Sequence, residues 1–327
     1  MLLTTAGCTN HAKPGSDDGI SPAAHAYLTK ALDTMQKHSL LRHRIDWPAL
    51  RAKALTQAHG ARKPADTYRA IEGALASLGD QHSHFWEPDE AKDRYGFSAT
   101  AFDGLEGRVL KGGPGYISLP GVEGSDKTYD AYVRQGRSAL AKADRNGACG
   151  WVVDLRSDTG GSMDPMFAVV GPILGDGNVG MFVDADGRKK GVWSVRHGDF
   201  FMDGTPIGWA GDRPLSGPTP PVAVLTGKQT ASAGEAVTVA FRGRPHTRSF
   251  GEPTYGVPTG NSPYRLSDGA VIVLTEVKEA DRTGRTYDTS IPPDQEIVND
   301  PRPVARHRDE TLDTATKWLL RQTACQQ

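Results

Sequence analysis

The N-terminal part of the chain carries apolar side chains at the spacing of one helix face. Residues 22–40, 46–60 and 64–78 each repeat apolar positions every three or four residues, which is the periodicity of an amphipathic α-helix. Pro48 stands in the first turn of the second segment, where a helix tolerates proline. The pattern predicts three helices, and we interpret residues 20–79 as an N-terminal helical bundle.

After Gly79 the pattern changes to short apolar runs that alternate with amphipathic segments. The repeated succession of strand and helix is typical of an α/β core, and we assign residues 80–327 to one core domain. The predicted strands are residues 115–119, 150–155, 222–226, 248–251 and 271–277, and the predicted helices are residues 129–143, the segment after Gly161 and residues 232–241.

Residues 176–220 interrupt this alternation. Two apolar runs, residues 179–183 and 191–196, are joined by D-A-D-G-R-K-K, a connection rich in the residues of a hairpin turn. The segment ends in a proline-rich stretch. It is interpreted as a β insertion that lies over the core as a cap, and as a candidate lid.

Composition and charge exclude several classes of partner. The 327 residues have a formal net charge of -1 and contain no run of Lys or Arg, so nothing favours binding to nucleic acid or to a charged membrane surface. No apolar run in the sequence approaches the length of a membrane-spanning helix. The hydrophobic content of 37% is sufficient for a large core.

The three cysteines show neither a metal-binding spacing nor an even disulfide framework. Cys149 precedes an apolar strand and is predicted to be a small buried apolar residue, whereas Cys325 has no assignment. Cys8 follows small residues and precedes a polar stretch, an arrangement that resembles the end of a bacterial lipoprotein signal. Residues 1–19 are therefore predicted to be a signal remnant or tether with Cys8 as a candidate lipidation site. The alternative is a leader with an incidental cysteine.

Ser232 is the first candidate for chemistry. In residues 221–235, P-V-A-V-L-T-G-K-Q-T-A-S-A-G-E, a buried strand leads through a glycine turn to a helix that Ser232 opens. Unpaired N–H groups and the helix dipole can stabilise a negative charge there, as an acyl-transfer nucleophile requires. However, Ser232 and Glu235 also have the spacing of a capping box, so Ser232 could serve only as a helix cap. The residues alone leave both interpretations open.

A second candidate segment is V-V-D-L-R-S-D-T-G-G-S-M, residues 152–163. Paired glycines such as Gly160 and Gly161 let the backbone approach a ligand and supply N–H donors. The alternative is a tight connection between strand and helix that Asp154 and Arg156 hold together.

The third candidate segment is L-G-D-Q-H-S-H-F-W, residues 78–86. His82 and His84 alternate and share one face of an extended segment. A metal site would need further ligands, which no nearby motif supplies. Each histidine is thus either a surface residue or a base for Ser232, because a serine hydroxyl needs a partner that titrates near neutrality.

Together, and in this order, these segments resemble the tail-specific (C-terminal-processing) serine peptidases over residues 65–300. The family has D-x-H-[ST], D-L-R-x-N-x-G-G, T-A-S-[AS]-x-E, G-[EK]-P-T-x-G and a late I-x-P-D segment. The corresponding residues are Asp80-Gln81-His82-Ser83, Asp154-Leu155-Arg156 with Gly160-Gly161, Thr230-Ala231-Ser232-Ala233-Gly234-Glu235, Gly251-Glu252-Pro253-Thr254-Tyr255-Gly256 and Ile291-Pro292-Pro293-Asp294.

Two departures place the chain within this family. Members with a Ser-Lys dyad carry the lysine directly after G-x-P-T-x-G, where this chain has Val257, which cannot act as a base. Only 31 residues separate His84 from Tyr116, too few for a PDZ domain of about ninety residues. The chain therefore resembles the PDZ-lacking Ser-His members, such as the nisin-resistance-protein subgroup and more remotely the tricorn core and the retinoid-binding repeats.

The resemblance implies a fold and a set of site residues. It implies an α/β fold with a ClpP/crotonase-like core of stacked ββα units and a site between core and cap. Ser232 would be the nucleophile and His82, which occupies the motif position, its base, with His84 as a rival. Ala233 and Gly161 would supply the oxyanion hole, and Glu235 would support the site. No acid is evident as a third member, so the prediction is a Ser-His dyad.

The resemblance also implies a reaction and a location. The substrate would be an extended peptide or protein tail, cleaved near its C-terminus through an acyl-enzyme and held by strand addition. No cofactor or metal is implied. The protein would be exported, in the periplasm or anchored by a lipid on the outside of a bacterial cell. A non-catalytic ligand- or peptide-binding relative on the same fold is the alternative, whereas an α/β-hydrolase esterase is disfavoured because T-A-S-A-G lacks the G-x-S-x-G elbow.

Overall fold

The chain folds into two β-sheets with helices against their faces. A computed structural model describes residues 19–95, 102–209, 215, 219–298 and 309–326. The predicted tether with Cys8 and most of the proline-rich stretch at the end of the predicted cap lie outside the described residues.

Eight α-helices and fourteen strands occur in these described ranges. The helices are α1 (Pro22–His38), α2 (Trp47–Gln57), α3 (Tyr68–Leu78), α4 (Pro88–Tyr95), α5 (Asp126–Arg145), α6 (Met163–Leu174), α7 (Ala233–Phe241) and α8 (Glu310–Leu319). The strands are β1 (His84–Trp86), β2 (Gly107–Val109), β3 (Gly115–Ser118), β4 (Trp151–Asp154), β5 (Gly177–Asp184), β6 (Lys189–Arg196), β7 (Asp199–Met202), β8 (Thr205–Pro206), β9 (Val222–Thr226), β10 (Thr247–Gly251), β11 (Thr259–Arg265), β12 (Val271–Asp281), β13 (Thr286–Tyr287) and β14 (Gln295–Glu296).

The three N-terminal helices begin and end within a few residues of their predicted positions. Their N-caps explain the starts, because the side chains of Ser21 and Asp46 accept hydrogen bonds from the first turns of α1 and α2. The apolar faces of α1, α2 and α3 share one buried cluster with Ile272 and Leu274 of β12. The helices therefore pack on a sheet of the core as well as on one another, and the domain boundary at residue 79 stays a prediction.

The first sheet, here called the parallel sheet, has the order β14-β10-β9-β4-β3-β2. All neighbouring strands are parallel except β2 and β3. Every residue of β3, β4 and β9 is buried, as expected for strands covered on both faces. The carboxyl ends of β4 and β9 lie side by side, so the loops that follow these two strands leave the same edge of the sheet.

The second sheet, here called the antiparallel sheet, is built around β12. Its order is β1-β12-β5-β6-β7-β8, and β11 and β13 also pair with β12. The two strands predicted within residues 176–220 correspond to β5 and β6, and the structure adds β7 and β8. All four strands extend the antiparallel sheet. Their role as a lid stays a prediction.

The main core lies between the two sheets. Helices α6 and α7 occupy this layer, where Phe167 and Val237 join Val153 and Val224 of the parallel sheet and Trp193 of the antiparallel sheet in one buried cluster. This mixed α/β architecture agrees with the predicted fold class. Helix α7, which Ser232 precedes, contacts β9 of the parallel sheet on one side and β12 of the antiparallel sheet on the other.

Helix α8 covers the opposite face of the parallel sheet and is fixed at both ends. At its start, Asp309 receives two hydrogen bonds from the Arg156 guanidinium, at 2.8 and 2.7 Å. Beyond its end, Cys325 forms a disulfide with Cys149. The prediction that Cys149 is an unpaired apolar residue, with no disulfide framework in the chain, is therefore wrong. The two cysteines are 176 positions apart in the sequence. The pair was not predicted because three cysteines do not suggest a complete set of disulfides.

Candidate active site

Ser232 lies at a strained turn at the start of α7. Its φ is 51° and its ψ is -115°, and it is one of four non-glycine residues with positive φ in the described ranges. Such a conformation costs about 1–3 kcal/mol and is found mostly at functional sites. The surroundings of Ser232 must therefore hold the turn in place.

Ser232 takes part in only some of the hydrogen bonds expected of a helix cap. The segment has the approximate geometry of a capping box, but only the Glu235 half is a hydrogen bond: the Ser232 N–H donates to Glu235 Oε2 at 3.0 Å. The Ser232 side chain makes no capping hydrogen bond to α7. Its hydroxyl is thus not committed to the helix, as a nucleophile requires.

Glu235 is a fully buried carboxylate that gathers four donors. Oε2 accepts from the N–H groups of Ser232 and Val257, at 3.0 and 2.8 Å. Oε1 accepts from the Thr254 hydroxyl at 2.6 Å and from the Gly256 N–H at 3.0 Å. Burial raises the pKa of Glu235, and these donors act in the opposite direction. Through these hydrogen bonds, Glu235 holds the 254–257 loop against the N-terminus of α7.

A second buried carboxyl, Glu279 of β12, lies near Glu235. Burial raises its pKa well above the ordinary range, and the charge of Glu235 adds to the effect. Its Oε2 has no hydrogen-bond partner within the described residues. Burial and the neighbouring carboxyl of Glu235 therefore both favour the protonated form of Glu279. The sequence offered no sign of this pair beyond a glutamate in an apolar strand.

The paired glycines lie directly against Ser232. Gly160 has a φ of 100°, and a Cβ atom there would lie 3.0 Å from the Ser232 Cβ. Gly161 has a φ of 108°, and a Cβ atom there would lie 2.2 Å from the Val122 carbonyl oxygen. Only glycine fits both positions. The loop after β4 is thereby brought beside the N-terminal N–H groups of α7, which include that of Ala233.

Asp158 links the glycine loop to the turn at Ser232. Its Oδ1 accepts from the Gly160 N–H at 3.0 Å, and its carbonyl oxygen accepts from the Ala231 N–H at 2.9 Å. Its Oδ2 has no partner within the described residues, and burial raises the pKa of this carboxyl well above its usual range. Sequence reasoning missed Asp158, although the motif of the resembling family has asparagine there.

Asp154 and Arg156 hold structure together rather than contacting Ser232. The Arg156 guanidinium binds both Asp154 oxygens, at 2.9 and 2.6 Å, and also Asp309 at the start of α8. The alternative interpretation of this pair, as a structural tie, is the one that the contacts support.

His82 is held in a turn that Asp80 organises. Asp80 Oδ1 accepts from the N–H groups of His82 and Ser83, at 3.1 and 2.6 Å, and from the Thr275 hydroxyl of β12 at 3.1 Å. The Ser83 hydroxyl accepts from the Thr275 N–H at 3.0 Å. The D-Q-H-S segment is thus anchored on β12 between its pairings with β1 and β5.

The two histidines occupy different environments. Burial lowers the pKa of His82 to about 4, with a further lowering by His84 that Asp80 opposes. His84 is exposed and begins β1, opposite Val273. Their ring centroids are 6.5 Å apart. His82 is therefore the partly buried ring that stays neutral at pH 7.

A chain of hydrogen bonds joins the surroundings of Ser232 to His82. The Ser232 and Val257 N–H groups share Glu235 Oε2. The Val257 carbonyl accepts from the Thr259 hydroxyl at 3.5 Å, and that hydroxyl oxygen lies 2.7 Å from His82 Nδ1. Val257, at the position where the resembling Ser-Lys peptidases carry lysine, thus connects the hydrogen bonds around Ser232 with those around His82.

No group of three or more His, Cys, Asp or Glu side chains in the described ranges is arranged to hold a metal ion. Likewise, none of the described helices is long and apolar enough to cross a membrane.

The described residues thus place Ser232 at a strained helix N-terminus, and hydrogen bonds through the 254–259 loop connect its surroundings to the ring of His82. Residues 113–297, more than half of the chain, match the model of peptidase family S41. The chain belongs to peptidase family S41, which confirms the resemblance inferred from the motifs.

Three similar proteins extend this comparison. The nisin-resistance protein of Lactococcus lactis is 26% identical over 272 residues, 82% of this chain and 81% of that protein. A carboxyl-terminal-processing protease of Synechocystis is 29% identical over 188 residues, 57% of this chain and 38% of that protein. The structure of a lipoprotein from Streptococcus agalactiae has a TM-score of 0.72 at 23% identity, and the match covers 92% of this chain and 97% of that one.

Proposed function

We propose that the protein is a serine peptidase in which Ser232 is the nucleophile and His82 the general base. The observation that carries this proposal is the conformation of Ser232, whose positive φ is maintained while its hydroxyl is left uncommitted to the helix. The hydrogen-bonded chain through Val257 supports the pairing with His82. The exposure of His84 on the first residue of β1 disfavours it as the base.

The reaction follows from these positions. His82 takes the Ser232 hydroxyl proton as Oγ attacks a peptide carbonyl, and the oxyanion is stabilised by the N–H groups of Ala233 and Gly161. The protonated imidazole then gives its proton to the leaving amine as the C–N bond breaks. Water hydrolyses the acyl-enzyme by the same base. Glu235 supports the site by holding the Ser232 turn.

The substrate we infer is an extended peptide or protein tail, cut near its C-terminus. Membership of a peptidase family supports a protein substrate, and the similarity to a carboxyl-terminal-processing protease supports a tail. The parallel sheet with its ββα connection supports a ClpP/crotonase-like core, with the substrate added as a strand beneath the predicted cap.

We also infer that the protein is exported. Disulfides such as that between Cys149 and Cys325 persist mainly in oxidising compartments. The similarity to a nisin-resistance protein and to a streptococcal lipoprotein points the same way. Anchoring through Cys8, which lies outside the described residues, belongs to the same proposal.

The test is a peptidase assay on wild type and on the variants Ser232→Ala, His82→Ala and His84→Ala. Ser77→Ala, which removes an exposed helix serine, is the control. We expect Ser232→Ala and His82→Ala to lose nearly all kcat while circular dichroism shows that they remain folded. His84→Ala and Ser77→Ala should retain activity. Covalent labelling of Ser232 by a fluorophosphonate would exclude a non-catalytic binding protein. Full activity of Ser232→Ala would refute the proposal, and loss in His84→Ala alone would reassign the base.

A further inference from the structure

Thr259 contacts the ring of His82 directly. The Thr259 hydroxyl oxygen lies 2.7 Å from His82 Nδ1, at the first residue of β11. In the same strand, the Asn261 side-chain amide donates to the His82 carbonyl oxygen at 2.9 Å. One strand thus holds both the ring and the backbone of the histidine.

The hydrogen bonds of Thr259 indicate which atom carries the proton. Its hydroxyl has the Val257 carbonyl as an acceptor at 3.5 Å, and a carbonyl can only accept. When that bond forms, the oxygen of Thr259 presents lone pairs to Nδ1, and the hydrogen between Nδ1 and Oγ1 must belong to the ring. The free lone pair of the neutral imidazole is then on Nε2.

We propose that Thr259 is the positioning residue of the base, and that it holds His82 in the tautomer protonated on Nδ1. This inference rests on the proposed function, in which His82 accepts the Ser232 proton. The proton from Ser232 Oγ goes to Nε2, the Nδ1–H bond stays intact throughout, and Nε2 later returns the proton to the leaving amine. In the Ser-His-Asp arrangement an aspartate performs this orienting role.

A hydroxyl orients the ring without adding a negative charge. The charged or titratable groups near the ring are His84 and Asp80, and Asp80 binds the backbone of the turn rather than Nδ1. Lys278 lies opposite Thr259 in the register of β11 and β12, and its ammonium pairs with Asp288 at 3.0 Å. The imidazolium formed in the reaction is therefore less stabilised than beside a carboxylate, and burial, the main cause of the lowered pKa of His82, disfavours it further.

The experiment compares Thr259→Val, which keeps the shape but removes the oxygen, with Thr259→Ser, which restores it. Thr286→Val, at an exposed position in β13, is the matched control. Nitrogen NMR of ¹⁵N-histidine-labelled protein, with His82 assigned through His82→Ala, reads the tautomer without any substrate. Peptidase kinetics then separate kcat from KM.

We expect wild type, Thr259→Ser and Thr286→Val to carry the His82 proton on Nδ1. In Thr259→Val the proton should move largely to Nε2, and kcat should fall about 10- to 100-fold with KM unchanged, as for other orienting partners. A purely structural threonine would not produce the tautomer change or its rescue by serine.

Two results would overturn the inference: a wild-type ring protonated on Nε2, or a Thr259→Val variant with wild-type tautomer and kcat. A different result separates it from the proposed function. If the tautomer follows Thr259 but neither wild type nor any variant cleaves peptides, the positioning role stands and the peptidase proposal fails.

Discussion

Replacing Glu235 by glutamine tests whether one buried carboxylate holds the turn at Ser232. Glutamine has the same shape but exchanges one acceptor oxygen for an NH₂ group. Each carboxylate oxygen of Glu235 receives two donors, those of Thr254 and Gly256 on one side and those of Ser232 and Val257 on the other. In either orientation, the new NH₂ group faces two hydrogen-bond donors.

The magnitude follows from these contacts. A buried donor left without a partner costs about 1–3 kcal/mol. If the Thr254 hydroxyl rotates to become an acceptor, one backbone N–H remains without a partner. If the amide takes the other orientation, the N–H groups of Ser232 and Val257 are both left. We therefore expect Glu235→Gln to lower the free energy of unfolding by about 2 kcal/mol. In either orientation the amide loosens at least one end of the link between the 254–257 loop and the Ser232 turn, so we expect kcat to fall as well.

Urea unfolding gives the stability change, and the peptidase assay gives kcat. Glu310→Gln, which removes an exposed carboxylate from the first turn of α8, controls for the loss of one charge. It should leave both quantities near wild type. If Glu235→Gln matches Glu310→Gln in urea midpoint and in kcat, the carboxylate does not hold Ser232 and the reasoning fails.

Three further predictions concern other features of the structure. Breaking the Cys149–Cys325 disulfide frees a loop of 176 residues, which lowers the free energy of unfolding by at most about 5 kcal/mol through chain entropy. Dithiothreitol should therefore lower the urea midpoint of wild type but not that of the variant with serine at both positions. Equal wild-type midpoints with and without dithiothreitol would contradict this. Because the base must be neutral, kcat/KM should stay constant at pH values above the His82 pKa of about 4 and fall below that pH. A fall in kcat/KM that begins at about pH 6.5 would instead show a histidine with an unperturbed pKa. Gly160→Ala should reduce kcat at least about tenfold because the added Cβ contacts Ser232. Gly187→Ala is the control: Gly187 also has a positive φ, 76°, but an added Cβ there has no atom within 4 Å, so kcat should not change. Equal kcat values for the two variants would show that Gly160 is not part of the site.

The sequence was sufficient for features set by local pattern. Helical spacing located α1 to α3, and the strand and turn before Ser232 placed that residue at the start of α7. The ordered motifs also predict His82 as the base, because its segment is short and contiguous, and that assignment stays a prediction.

Features set by long-range register were not accessible from the sequence. The contact of Thr259 with His82 depends on how β11 pairs with β12 and where the Asp80 turn docks. The proximity of Glu279 to Glu235 depends in the same way on how α7 packs against β12. Only the fold brings such positions together, since nothing in the local pattern distinguishes these residues from surface ones.

The cross-link between α8 and the start of β4 also imposes an order on maturation. During synthesis Cys149 emerges 176 residues before its partner, so the bond closes only after Cys325 has been made. In a reducing cytosol it does not close, and a chain that still lacks it unfolds more readily for passage through a membrane. If the protein is exported as we propose, the disulfide that anchors the end of α8 forms only on the oxidising side of the membrane, and the protein reaches its full resistance to unfolding there.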